Sequence, residues 1–185
     1  MSILLSLSPF VVFFVLMRLR SPLAGLVGAV VVSLVLCLRM VRKGESLKIL
    51  EVGSLVVFGA LTTYTLLAAP AWSVATVRLA VDLGLLAIAV ASLAIGRPFT
   101  LQYARERVPE AVWALPVFYT TNRLITAVWA GAFAILVGAD AAAEYVPAIP
   151  IWVDVAASIA AFAAAVRFSG RYPQVVQRRF ASAAR

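Results

Sequence analysis

Residues 22–38 read PLAGLVGAVVVSLVLCL and run directly into RMVRK at 39–43. The first stretch carries no charge and approaches the length of about 20 residues that takes a helix across a bilayer. The second halts it with Arg39, Arg42 and Lys43. Ser21-Pro22 is a start signal: Ser caps the first exposed amide groups, and Pro sits in the first turn, where its missing N–H costs nothing.

The same alternation recurs along the chain. Apolar runs cover about 47–69, 77–95, 116–138 and 150–168, and each ends at Pro, Gly or charge. Pro70 closes the first of these, because proline disfavours helix in the residue before it. Gly96 suits the C-terminal cap of the second, with Pro98 preventing continuation. A shorter run, Ile3 to Met17, precedes them all, with Ser8-Pro9 as its start signal. It lacks a basic leader, and Arg18 and Arg20 stand where a cleavage site would need small residues, so it reads as retained. The expected fold is therefore all-α: a polytopic integral membrane helical bundle of five full spans plus a short N-terminal span or re-entrant helix. Residues 1–168 form a single transmembrane domain, and 169–185 a basic, mobile cytoplasmic tail.

Composition agrees. Of 185 residues, 64% are hydrophobic, against about 45–50% in soluble domains, and mean hydropathy is +1.03. The net charge of +8 does not point to nucleic acid, since the basic residues mark helix ends instead of forming one face interleaved with aromatics. The lone Cys37 excludes an intrachain disulfide, and the absence of histidine removes the commonest metal ligand and proton shuttle. No metal, cofactor or enzymatic activity is expected.

The placement of the 16 Lys and Arg sets an orientation. If all six runs cross, only Arg18, Arg20 and Arg78 lie on one side; the other 13 mark the opposite face. By the positive-inside rule that face is cytoplasmic, and the C-terminus with it. Trp72, Tyr145 and Trp152 near the outer face, and Trp113 and Tyr119 near the inner one, suit interfacial belts.

Ionisable and polar groups inside the spans are the candidate sites. Arg78 and Asp82 are one helical turn apart, and Asp154 lies near the same outer surface. Together they line an external vestibule or bind an ion; more plainly, Arg78 neutralises Asp82 while Asp154 reaches interfacial water or helps open its helix near the positive dipole end. Thr62, Thr63, Tyr64 and Thr65 form the most polar midspan stretch, suited to a pore lining or to helix packing. Ala156, Ala160 and Ala164, and Ala24 with Gly28, are small residues at four-residue spacing that permit close helix contact and self-association. On the basic side, the amphipathic connection from Arg97 to Leu115 brings together Arg97, Arg105, Glu106 and Arg107, with Asn122 and Arg123 nearby. This constellation is a candidate contact for anionic lipid or a protein partner, or it is positioned by ordinary snorkelling.

Particular residues add a resemblance. Leu7-Ser8-Pro9-Phe10-Val11-Val12-Phe13-Phe14 resembles the opening of the bacterial intracellular septation protein A family of inner-membrane-spanning proteins, and Val56-Val57-Phe58-Gly59-Ala60-Leu61-Thr62 is similar to its third apolar segment. Arg97-Pro98, then Trp113, Asn122 and Trp129, extend the likeness, which covers roughly Leu4 to Leu136. The chain departs from it in a more charged Phe99 to Arg107, Ala-rich helices and extra Arg in the tail. The resemblance implies a divergent relative in the bacterial inner membrane with a role in cell-envelope maintenance, septation and cell division, and it supplies no catalytic residues. The expected function is thus a non-enzymatic membrane protein acting through envelope or division proteins, lipids or its own copies. The alternative is a small oligomeric transporter or channel for an ion or small solute.

Overall fold

A computed structural model describes residues 3–68, 72–146 and 151–183. The chain is helical, with no strand among the described residues: α1 (Ile3–Ser6), α2 (Ser8–Leu19), α3 (Pro22–Arg42), α4 (Ile49–Ala68), α5 (Val74–Ala94), α6 (Phe99–Arg105), a 3-10 turn at Glu110–Val112, α7 (Pro116–Tyr145) and α8 (Ile151–Ala183). Five of them, α3, α4, α5, α7 and α8, are long and apolar enough to cross a membrane, and α2 is a shorter apolar helix. Helices pack in chain order, α2 on α3, α3 on α4 and α4 on α5; α5 and α8 both pack on α7, and α6 lies against the start of α7.

Local chemistry sets the helix ends. Ser21 accepts the Ala24 amide at 3.1 Å, as its place before Pro22 requires. Gly44 and Gly96 take positive φ, 68° and 69°, and end α3 and α5 in the same way. The Gly96 amide bonds the Leu93 carbonyl at 3.1 Å and the Arg97 amide bonds that of Ser92 at 2.9 Å. These left-handed positions satisfy carbonyls that would otherwise be orphaned at the helix end, and Gly96 turns the chain sharply into α6. Ser8 differs from expectation: Leu7 occupies the cap position, makes no side-chain cap, and only Pro9 in the first turn keeps its role.

Two helices run further than their hydropathy indicates. α7 continues past Gly138 to Tyr145, because 141–143 is a run of alanine, the best helix former. α8 continues past Phe168 to Ala183, through Pro173, so the segment expected as a mobile tail is a helical extension as far as it is described. The small-residue stripe on α8 is also displaced by one position. Ala156, Ala160 and Ala164 are exposed, and it is Ala161 and Ala165 that are buried.

The core is built from Phe13, Leu26, Phe58, Leu85, Trp129 and Phe133, with Phe10 and Phe58 stacked at a tilt 4.9 Å apart. Glycine lets α2 and α3 approach. A Cβ on Gly25 would sit 2.7 Å from the Phe13 backbone oxygen, which cannot swing aside as a side chain could. Gly25→Ala is therefore expected to lower stability by about 1–3 kcal/mol despite alanine's better helix propensity. Gly131→Ala, with open space around the added atom, is expected to be neutral or slightly stabilising. Thermal unfolding of both variants in detergent checks the contrast; equal melting would show that α2 yields to the extra methyl.

Candidate functional site

The buried polar groups separate into two clusters at opposite ends of α5, with the aromatic core between them. The first lies near the start of α5. The Arg78 guanidinium bridges α7 and α8 through one nitrogen, contacting Asp140 and lying 2.7 Å from Asp154. Its plane faces Phe14 of α2, 5.8 Å from the ring centroid. Asp82 is one turn along and 1% exposed. Arg78, Asp82 and Asp154 are thus brought together as expected, with two changes. Arg78 makes no ion pair with Asp82 within 4 Å; its direct partners are Asp140 and Asp154. Asp154 is buried rather than facing water. Asp140 is the addition, and it takes the place the sequence had given to Asp82.

Several atoms of this cluster lack hydrogen-bond partners: Asp82 Oδ1, Asp140 Oδ2, Asp154 Oδ1 and Arg78 Nε. One guanidinium faces three carboxyl groups, two of which share it. Closer to the surface, Glu144 accepts from Ser73 at 2.7 Å and Thr76 at 2.9 Å, joining the start of α5 to the end of α7. A groove of about 480 Å³ opens beside the cluster between α2 and α8, lined by Phe10, Phe14, Leu85, Ile159 and Phe162, with Arg78 and Asp82 on its floor.

The second cluster lies where α6 crosses the bundle. Glu51 of α4, 1% exposed, accepts from the Ser6 hydroxyl at 2.5 Å and the Tyr103 hydroxyl at 2.8 Å. Burial, and then the charge of Glu51, push the Tyr103 phenol well above its ordinary value, so it stays protonated and donates. Lys48, almost fully buried, pairs with Glu106 at 2.6 Å and lies 4.7 Å from the centre of the Tyr103 ring. Burial acts to raise the Glu106 carboxyl, but nearby positive charge, with Lys48 foremost, outweighs it and holds the group below its usual range. Gln102 accepts the Ile49 amide at 2.7 Å. Thr100 donates to the Asn122 carbonyl at 2.9 Å and shares a 2.8 Å bond with Thr126. Together these contacts fasten α6 to α4 and α7.

The expected basic constellation is only partly a unit. Arg97, Arg105, Glu106, Arg107 and Arg123 are exposed at the α6 end, with Arg105 5.2 Å from the Trp113 ring centre. Asn122 is buried and spends its amide on the Phe118 carbonyl at 2.8 Å. Of the set, Arg107 and Asn122 line one cavity of about 570 Å³ among α6, α7 and α8, together with Tyr103, Trp129 and Gln174.

The midspan stretch lines neither cavity. Thr62 and Thr65 donate back to the Phe58 and Leu61 carbonyls of their own helix, both at 2.7 Å. Thr63 and Tyr64 are exposed, and Tyr64 lies 5.3 Å from Trp72, centre to centre. The Thr62 and Thr65 hydroxyls are thus bonded within their own helix.

Sequence reasoning missed Glu51, Lys48 and Asp140. Glu51 is an acid inside an apolar run, a signal that was available. Lys48 stands at the very start of that run, next to the basic hairpin, and Asp140 just beyond Gly138, where hydropathy ends the fifth span. Among the described residues no group of three His, Cys, Asp or Glu side chains could hold a metal ion. Comparison with family models, curated proteins and solved structures returned no match to this chain.

Proposed function

We propose that the chain is a non-enzymatic protein of the bacterial inner membrane that supports cell-envelope maintenance or septation through lipid and protein contacts. The observation that carries this reading is the α6 end, where Arg97, Arg105, Arg107 and Arg123 stand exposed and Arg107 also lines the cavity among α6, α7 and α8. Charge asymmetry supports a cytoplasmic position for that end and the C-terminus, where anionic headgroups attract basic side chains. The likeness to the septation protein A family supports the envelope role. Envelope or division proteins, or further copies of the chain, are the protein partners this reading implies.

The transporter reading has less to rest on. Two of its midspan hydroxyls, Thr62 and Thr65, bond their own helix, and the two polar clusters are separated by the layer of Phe58, Leu85, Trp129 and Phe133.

The test replaces Arg105 and Arg107 with Gln. Each exposed cation near an anionic surface contributes roughly 1 kcal/mol, so retention of anionic lipid is expected to fall by about ten-fold or more. Insertion and folding should be unchanged, because neither side chain is buried. Native mass spectrometry of protein released from bilayers with anionic or zwitterionic lipid reads the effect. Retention identical to that of the unaltered chain would remove the basis of the proposal.

A further inference from the structure

The groove between α2 and α8 combines two features that do not normally occur together. Its walls are Phe10, Phe14, Ile159 and Phe162, and its floor carries Asp82. The two helices face each other across it without packing closely, and Val11 and Ile159, which line it, are exposed, so it opens at the side of the bundle. A volume of about 480 Å³ lies within the range of about 300–1,000 Å³ typical of sites for small ligands.

Asp82 is the decisive residue. It is 1% exposed, its Oδ1 has no hydrogen-bond partner, and it lines the groove. The cation on its own helix is spent on Asp140 and Asp154. A buried acceptor left unsatisfied costs free energy that a donor entering from the groove would recover, and a charged donor would recover more. An apolar body with a cationic donor at one end matches both the walls and the floor.

We propose that this groove binds an amphiphile with a protonated amine head, the ammonium donating to Asp82 and the hydrocarbon lying between α2 and α8. Two sources share that chemistry: a free long-chain amine, or the ethanolamine head of a membrane phospholipid. Arg18, which lines the groove and is exposed at the same end of the bundle, separates them. A phospholipid brings a phosphate that Arg18 can hold, and a free amine brings none.

The test uses the full chain in detergent with dodecylamine and dodecanol as probes, and in nanodiscs containing phosphatidylethanolamine or phosphatidylglycerol, with bound species counted by native mass spectrometry. Dodecylamine is expected to bind at least ten-fold more tightly than dodecanol, and Asp82→Asn to abolish that preference while leaving dodecanol unchanged. Should Asp82→Asn fail to fold, Ile159→Trp takes its place: Ile159 is exposed and lines the groove, so the indole fills it and both probes should lose binding. A preference for phosphatidylethanolamine that falls in Arg18→Gln identifies the phospholipid; amine binding unaffected by Arg18→Gln identifies the free amine. Equal affinity for dodecylamine and dodecanol, without any preference for phosphatidylethanolamine, overturns the proposal, as does amine binding that survives Ile159→Trp.

Discussion

Arg78→Leu is expected to be among the most damaging single substitutions in this chain, lowering stability by about 3–5 kcal/mol, the cost typical of removing one partner from a buried ion pair. The reason lies in what remains behind. Asp140 and Asp154 belong to different helices, both are buried, and the same guanidinium nitrogen serves both. Without it, α7 and α8 present each other with two uncompensated carboxyl groups. Arg78→Lys should fall between, since an ammonium keeps the charge but lacks the planar donor set that spans several acceptors. Adding Asp140→Asn and Asp154→Asn to Arg78→Leu should recover part of the loss. Thermal unfolding in detergent ranks the variants, and an Arg78→Leu protein that melts with the unaltered chain would show that the cluster does not hold the bundle together.

Glu51→Ala is the second large effect, expected at about 3–4 kcal/mol, because it leaves two buried hydroxyls without an acceptor at about 1–3 kcal/mol for each unsatisfied group. Ser6 and Tyr103 come from α1 and α6, so the loss should loosen both ends of that layer and raise hydrogen exchange in α6 above all. Tyr103→Phe removes a single bond to a charged acceptor and should cost about 1.5–3 kcal/mol. The double variant should fall short of the sum, since Tyr103 has nothing left to lose once Glu51 is gone. Strict additivity would mean that the 2.8 Å contact contributes nothing.

These two sites also mark where the sequence was legible. Hydropathy found the five long helices and their order, since each span must bury its own backbone hydrogen bonds and so announces itself as a long apolar run. It identified Ser21 and Gly96 as caps for the same reason, local chemistry that needs no partner. Arg78, Asp82 and Asp154 were drawn together because all three lie near one surface. Which acid takes the guanidinium was not legible, because that depends on how α5, α7 and α8 rotate against each other. Asp140 escaped because its run of alanines is too weakly hydrophobic to read as span, yet helical enough to continue one. Lys48 escaped because a charge beside a loop looks the same whether it faces water or the underside of a helix that folds back over it, whereas Glu51, an acid within an apolar run, carried a readable signal. The stripe Ala156, Ala160 and Ala164 failed by one residue: spacing gives the period of a face, and only packing gives its direction.

α8 holds one further consequence. At 33 residues it is about 50 Å long, against a hydrocarbon thickness of about 30 Å, so one end stands clear of the apolar layer as a helical post with Pro173 inside it. Arg167, Arg171 and Arg178 project from it within about 40° of one another at 100° per residue, and all three are exposed. A tether would let those charges search a volume; a post fixes their bearing and height relative to the bundle. One residue inserted between Arg171 and Arg178 would swing the last charge through about 100° without altering composition, so this end of the protein acts as a ruler whose markings depend on register.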